Sequence, residues 1–317
     1  MSTLLHEGVA GNCARPEVGR TLATSVLRVR PDPFAALLDL PGVADAVAEA
    51  RTAVDGLLGH RVLRRRSAEV TAESALRGAR ASADLEGAGM ELERLRGQLL
   101  HGQEVTVQSK DVRAGQVVTN AVRLHADLGA LLPSWKGAPR QALARLHVLA
   151  SADLGVPEER VGRPRTLATD PVEDPLGLGP APDPLEASAR LDGLCRLLLE
   201  PTSAPAVVVA GAVHGELLAL RAFGSVDGLV ARAAARLVLV DRGLDPKAVS
   251  APEVGHVELD AAGLRAHHSH AYAEAARAYV GGGQEGVARW LVHCAQAVAL
   301  GAREGVAVCE AILRETA

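Results

Sequence analysis

The sequence predicts an all-α protein, and three observations carry that reading. Apolar residues recur three and four positions apart through most of the chain, the spacing of an amphipathic helix. Aromatic residues make up only 2% of the composition, so an aromatic-lined sandwich or barrel is disfavoured. In their place stand small aliphatic residues, above all alanine and leucine, which are strong helix formers. With 317 residues, 48% of them apolar, the chain buries roughly three quarters of its unfolded surface without help from a metal or disulfides.

Residues 1–40 are mixed in character, with PDPF at 31 a local breaker. VADAVAEARTAVDGLL, after Pro41 and Gly42, reads as the first amphipathic helix, and further runs follow over 68–85, 88–101 and 112–131. APRQALARLHVLASADLG continues the pattern and stops at Gly155 with Pro157 just beyond, as a helix terminus should. Between 161 and 183 the period disappears in GRPRTLATDPVEDPLGLGPAPDP, whose prolines exclude a helix; the segment is either a linker or a long excursion from one domain. Asp183, Pro184 and Glu186 then form a helix start with a cap, a first-turn proline and an N3 acid.

PTSAPAVVVAGAVHGELLAL is apolar on most sides and belongs in the middle of a domain. The break RAFGSVDG leads to a second apolar helix, LVARAAARLVLVDRG, ending at Gly243 before Pro246. HVEL at 256 fits a brief strand, and helices are expected over 260–280, 284–301 and 303–315. Domain organisation is expected as an N-terminal helical region over 1–105 and a helical core over 106–317.

A net charge of −4 gives no electrostatic reason to expect nucleic acid or an anionic membrane as partner. The basic run of Arg61, Arg64, Arg65 and Arg66 fits a solvated helix face. Cys13, Cys195, Cys294 and Cys309 lie far apart, as buried reduced thiols of a cytoplasmic protein do. The N-terminus lacks a signal-peptide pattern, and AVVVAGAV is too short to cross a bilayer. His267, His268 and His270 lack a further ligand at metal spacing and read as a polar cluster, so no metal site is expected. His214 reads as a core histidine bonded to nearby backbone, and Gly281, Gly282 and Gly283 as a turn.

The loop between the two apolar helices is the place for chemistry, because the amides at the start of the second helix are free to meet an anion. That start is Ser225, Val226, Asp227, Gly228 and Leu229; if Asp227 caps the helix, the anion site is filled from within. VHGELLALRAFGSVDGLVARAAARLVL resembles the signature region of the Fic/Doc (Fido domain) family, in which a buried helix runs into an HPFx(D/E)GNGRxxR loop. Phe223, Gly228 and Arg232 match the motif, and His214 falls where that helix often carries a histidine. Arg221 stands at the catalytic histidine position, Ala222 at the proline, Ser225 at the metal-binding acid, Val226 at the first glycine, Asp227 at the asparagine and Leu229 at the first arginine. Ser82, Glu86 and Gly87 fit the family's (S/T)xxxE(G/N) inhibitory motif, in a helix near 73–87, and WLVHCAQAV at 290 resembles the helix that follows the signature. The likeness covers roughly residues 40–310.

Active members of that family transfer AMP from ATP to a protein hydroxyl, with histidine as base and an acid holding magnesium. Arginine stays charged at any workable pH and is no base. The Ser225 hydroxyl is a poor magnesium ligand, Leu229 offers phosphate no donor, and Asp227 repels it. The resemblance with these departures implies a degenerate, catalytically inactive scaffold that binds or regulates a protein partner, with no cofactor required. The alternatives are a transferase of altered chemistry, holding ATP with or without magnesium or another phosphorylated ligand at Gly228, Arg232, Arg221 and Asp227, and an unrelated helical interaction domain. The resemblance also implies that Glu86 pairs with Arg232 across the pocket. The 161–183 loop lies where active members align a target segment, and its prolines remove amides such pairing uses.

Overall fold

The computed structural model describes residues 32–107, 111–261 and 270–315, and Asp32–Ala317 packs as one compact unit. Eleven α-helices and no strands are found among the described residues: α1 (Val43–Leu58), α2 (Ser67–Asp84), α3 (Leu92–Leu100), α4 (Val112–Gly137), α5 (Pro139–Ala150), α6 (Pro184–Leu199), α7 (Ala206–Leu220), α8 (Asp227–Asp241), α9 (Pro252–Ala261), α10 (His270–Gly281) and α11 (Gly283–Arg314). None of them is long and apolar enough to cross a membrane. The segment 161–183 is an irregular excursion from this unit rather than a linker, and Asp183 caps α6 by accepting from the Leu185 amide at 2.8 Å.

The all-apolar segment is α7, with thirteen of its fifteen residues buried, and α8 packs along it. α11 packs on α1, α9, α10 and α7. Glycines let α9 and α11 approach to backbone contact: a Cβ on Gly255 would sit 2.0 Å from the Ala297 carbonyl oxygen, and one on Gly301 would sit 2.4 Å from the Ala251 backbone.

Four expected elements differ. α5 ends at Ala150 and not at Gly155, with a turn over 151–155 between them. HVEL is not a strand but the middle of α9, started by Pro252 and Glu253 as first helical residues, with His256 turned into the core. The expected helices over 284–301 and 303–315 are one helix, because Gly301 serves the contact with Ala251 and does not end the helix. α4 runs past 131 to Gly137 through exposed Pro133, since Leu131 and Trp135 bury the same face on either side of it.

His214 is buried, but its partner is the Tyr272 hydroxyl at 2.8 Å and not backbone. Gly282 and Gly283, both with φ of 76°, turn the chain from α10 into α11. Arg61, Arg64 and Arg65 are exposed, while Arg66 chelates Glu69. Cys195, Cys294 and Cys309 are buried free thiols; Cys13, His267 and His268 lie outside the described residues, as does the His270 side chain.

Among the described residues five histidines are buried: His125, His147, His214, His256 and His293. Burial disfavours their charged form and pushes His125, His147 and His293 down to about 4, and His214 and His256 well below the ordinary value. A folded-state pKa below the unfolded value of 6.5 means that the unfolded chain binds the proton more readily. Stability from these residues is therefore complete above about pH 6.5 and falls as pH drops toward 4. The melting temperature is expected to decline steeply over that window, with net proton uptake on unfolding. Calorimetry at mildly acidic pH in buffers of different ionisation heat checks this.

Candidate functional site

The site lies where α7 runs into α8. Arg221 ends α7 in a left-handed conformation (φ 40°), Gly224 (φ 80°) and Val226 (φ 48°) follow suit, and the chain folds tightly enough to start α8 at Asp227. Two of these three residues are not glycine, so the loop holds backbone strain that the surrounding packing sustains.

Much of that packing comes from the 161–183 excursion. The Arg165 amide donates to the Ala222 carbonyl at 2.7 Å and the Glu173 amide to the Gly224 carbonyl at 2.9 Å. Arg165 Nε donates to the Arg221 carbonyl at 3.0 Å, and the Val226 amide donates to Glu173 Oε2 at 3.2 Å. From below, the His147 ring stacks on Phe223 at 4.5 Å; its Nδ1 accepts from the Gly162 amide, so Nε2 carries the proton toward Ser225 Oγ at 3.3 Å.

Asp227 does not cap α8. Its Oδ1 accepts from the Phe223 amide at 3.0 Å, back along the loop, and Oδ2 is buried without a partner among the described residues. Burial pushes its pKa up to about 7, against the opposing pull of the Phe223 and Gly224 amides. The negative charge at the start of α8 is instead supplied from elsewhere in the fold. Glu173 reaches the Val226 amide, and Glu86 reaches Gly228, where a Cβ would stand 2.0 Å from Glu86 Oε1. A helix N-terminus favours such charges, and here the protein's own carboxylates occupy it.

Glu86 and Arg232, distant in sequence, are brought together by α2 and α8. Arg232 Nη2 donates to Glu86 Oε1 at 2.6 Å and to the Ser82 carbonyl at 3.0 Å, Nε donates to Ser82 Oγ at 2.8 Å, and Nη1 donates to the Tyr272 hydroxyl at 3.2 Å. Tyr272 in turn donates to neutral His214. The end of α2 makes this possible. Gly87 (φ 80°) closes the helix, its amide bonding to the Asp84 carbonyl and that of Ala88 to the Ala83 carbonyl, the paired pattern of a Schellman stop. A left-handed glycine directly after the glutamate thus ends the helix where Glu86 meets α8.

What is left between these groups is a cavity of about 20 Å³, walled by Glu86, Glu173, Asp174, Arg221, Asp227 and Gly228 among others. That is room for about one water. Arg221 points one nitrogen to Asp174 at 3.3 Å, while its Nε and Nη2 are buried with no partner among the described residues. No group of three or more His, Cys, Asp and Glu residues that could hold a metal ion is found among the described residues.

Of the residues singled out in the sequence, Ser82, Glu86, Gly228 and Arg232 meet at one point, and Arg221 and Asp227 border the same small cavity. His147, Arg165, Glu173, Asp174 and Tyr272 also build the site and carry no motif.

No family model matches the sequence, and no curated protein matches it significantly. Among solved structures, the chain is similar to a Fic family protein from Desulfovibrio desulfuricans G20, with a TM-score of 0.61 and 20% identity. The superposition covers 84% of this chain and 75% of that one. The fold is Fic-like. At this identity the likeness extends to the helical architecture and not to the signature residues, six of which differ from the Fic motif at the loop itself.

Two outcomes test the geometry. Arg232→Ala leaves the nearly buried Glu86 carboxylate without its cation, with an expected cost of about 3–5 kcal/mol in chemical denaturation; removing Glu86 in the same chain should recover part of that loss. For Asp227, the folded-state pKa of about 7 lies above the unfolded value of 3.8, so its contribution to stability is lost as pH rises through that range. Asp227→Asn is expected to raise the melting temperature at alkaline pH relative to the parent, and the gain should shrink as the pH approaches 4.

Proposed function

We propose that this chain is a degenerate member of the Fic family that has given up nucleotide transfer and serves as a binding or regulatory scaffold. The observation that carries the reading is the 20 Å³ cavity at the start of α8, lined by four carboxylate side chains and closed by Glu86 on Arg232. Small-molecule sites span roughly 300–1,000 Å³, so a nucleotide has no room beside Gly228, and Glu86, Glu173, Asp174 and Asp227 would oppose its phosphates there. The side chains present do not fit magnesium-ATP. Ser225 is engaged with His147, Leu229 is an apolar core residue, and His147, held neutral by burial, stacks beneath the loop.

The excursion over 161–183 supports the same reading from the target side. Two of its amides, those of Arg165 and Glu173, already pair with carbonyls of the signature loop. An extended target peptide competing for that edge would have to displace the protein's own backbone, so the partner is proposed to bind elsewhere on the surface.

Removing the glutamate that closes the pocket distinguishes a shut active enzyme from a degenerate one. Glu86→Gly, incubated with α-labelled ATP, magnesium and a cell extract, is expected to transfer no label to itself or to any other protein. Label transfer above that of the parent chain would reject the scaffold reading.

Arg221 favours a second reading, a transferase or sensor of altered chemistry. Its two unpartnered buried nitrogens are donors that a phosphate oxygen would satisfy. Under that reading Arg221→Ala abolishes a saturable interaction with inorganic pyrophosphate in the Glu86→Gly background; under the scaffold reading there is no such interaction to abolish.

A further inference from the structure

A cleft of about 750 Å³ opens on a different face from the signature loop, between α2, α4 and the C-terminal half of α8. It is far larger than the remnant beside Gly228 and falls within the size range of small-molecule sites. Leu76 and Ala75 of α2, Val122, Leu128 and Leu132 of α4, and Val240 of α8 form its walls. Away from its Ser67 end two ionisable residues, His125 and Arg236, reach it, yet neither makes it polar. Arg236 spends its terminal nitrogens on Glu253 and the carbonyls of Ala248 and Ser250, and its Nε, like His125 Nδ1, is sealed from solvent. Along α2 the cleft runs from Ser67 to Leu76, about 13 Å at helical rise, and beyond Ser67 and Thr71 that wall is apolar.

Its Ser67 end has a different character. Lys247 lines the cleft there, exposed, with Nζ 3.4 Å from the Leu63 carbonyl, which places it beside the turn carrying Arg64 and Arg65. Arg64 and Arg65 are exposed and form no ion pair among the described residues. Of the acids near this end, Glu69 is engaged by Arg66 and Asp241 by Lys136 at 3.6 Å. The start of α2, at Ser67, adds the positive end of a helix dipole. An elongated apolar slot with uncompensated positive charge at one end matches one kind of ligand, a linear amphipathic carboxylate.

We propose that this cleft binds a medium-chain aliphatic carboxylate, its chain lying between α2 and α4 toward Leu76 and Val122 and its carboxylate at Lys247, Arg64 and Arg65. The inference does not rest on the state of the signature pocket, since these residues and those around Gly228 lie at opposite ends of α8.

Titration calorimetry of the full chain with decanoate, decanol and decyltrimethylammonium at neutral pH, all below their micellar concentrations, tests the proposal. Decanoate is expected to bind with one-to-one stoichiometry, decanol more weakly and decyltrimethylammonium not at all. Combined Arg64→Glu, Arg65→Glu and Lys247→Glu substitutions on this exposed rim should weaken decanoate about tenfold or more. Ala75→Trp, which fills the slot, should abolish binding. Methyl NMR on the parent chain gives a readout independent of whether that variant folds: decanoate shifts should concentrate on Leu76, Val122, Leu128, Leu132 and Val240. Absence of saturable decanoate binding, comparable binding of decyltrimethylammonium, or shifts scattered over the surface would each overturn the assignment.

Discussion

The guanidinium of Arg232 is the constraint around which the site is organised. It is essentially inaccessible to water, and an unpaired charge there would cost several kcal/mol. Every nitrogen therefore has a partner, and each partner comes from outside α8: Ser82 and Glu86 from the end of α2, Tyr272 from α10. Satisfying one cation thus docks two other helices on the central pair. A buried pair of this kind does more to fix which surfaces meet than to raise stability, because desolvation offsets much of its attraction.

The same contact determines what becomes of the start of α8. Such a start attracts anions, and in this chain the attraction is met by Glu86 against Gly228 and by Glu173 on the Val226 amide. Gly228 is needed because no side chain fits beneath Glu86, which gives this glycine a packing role independent of any phosphate. The cavity that remains is bordered by four carboxylates, Glu86, Glu173, Asp174 and Asp227, an environment that disfavours a phosphate there. Asp227, with a raised pKa and one oxygen without a partner, and Arg221, with two such nitrogens, are the unsatisfied groups bordering it among the described residues.

Much of the helical architecture was legible in the sequence because local signals and burial agree there. α1, α2 and α8 show the apolar period and end near the expected residues, and the start of α6 follows from Asp183 and Pro184. Where the reading failed, a long-range contact overrode a local signal. Gly301 looked like a stop and is a point of close approach to Ala251; HVEL looked like a strand and lies in a helix whose His256 meets His293 across the core. At the site, the motif pointed to Glu86 and Arg232, which pair. It gave no hint of His147, Arg165 or Tyr272, since a stacked ring or a bridging hydroxyl leaves no spacing pattern behind. The direction of Asp227 was equally hidden, because it depends on the left-handed backbone of Gly224 and Val226 and not on residue type.

The central claim is that the protein itself occupies the anion position at the start of α8. Calorimetric titration of the purified chain with ATP, with and without magnesium, tests it most directly. The account predicts no binding heat up to millimolar nucleotide in either condition. A stoichiometric site that is weakened by Arg232→Ala and indifferent to magnesium would contradict it, and would mean that Glu86 yields to phosphate and that the loop is still a receptor.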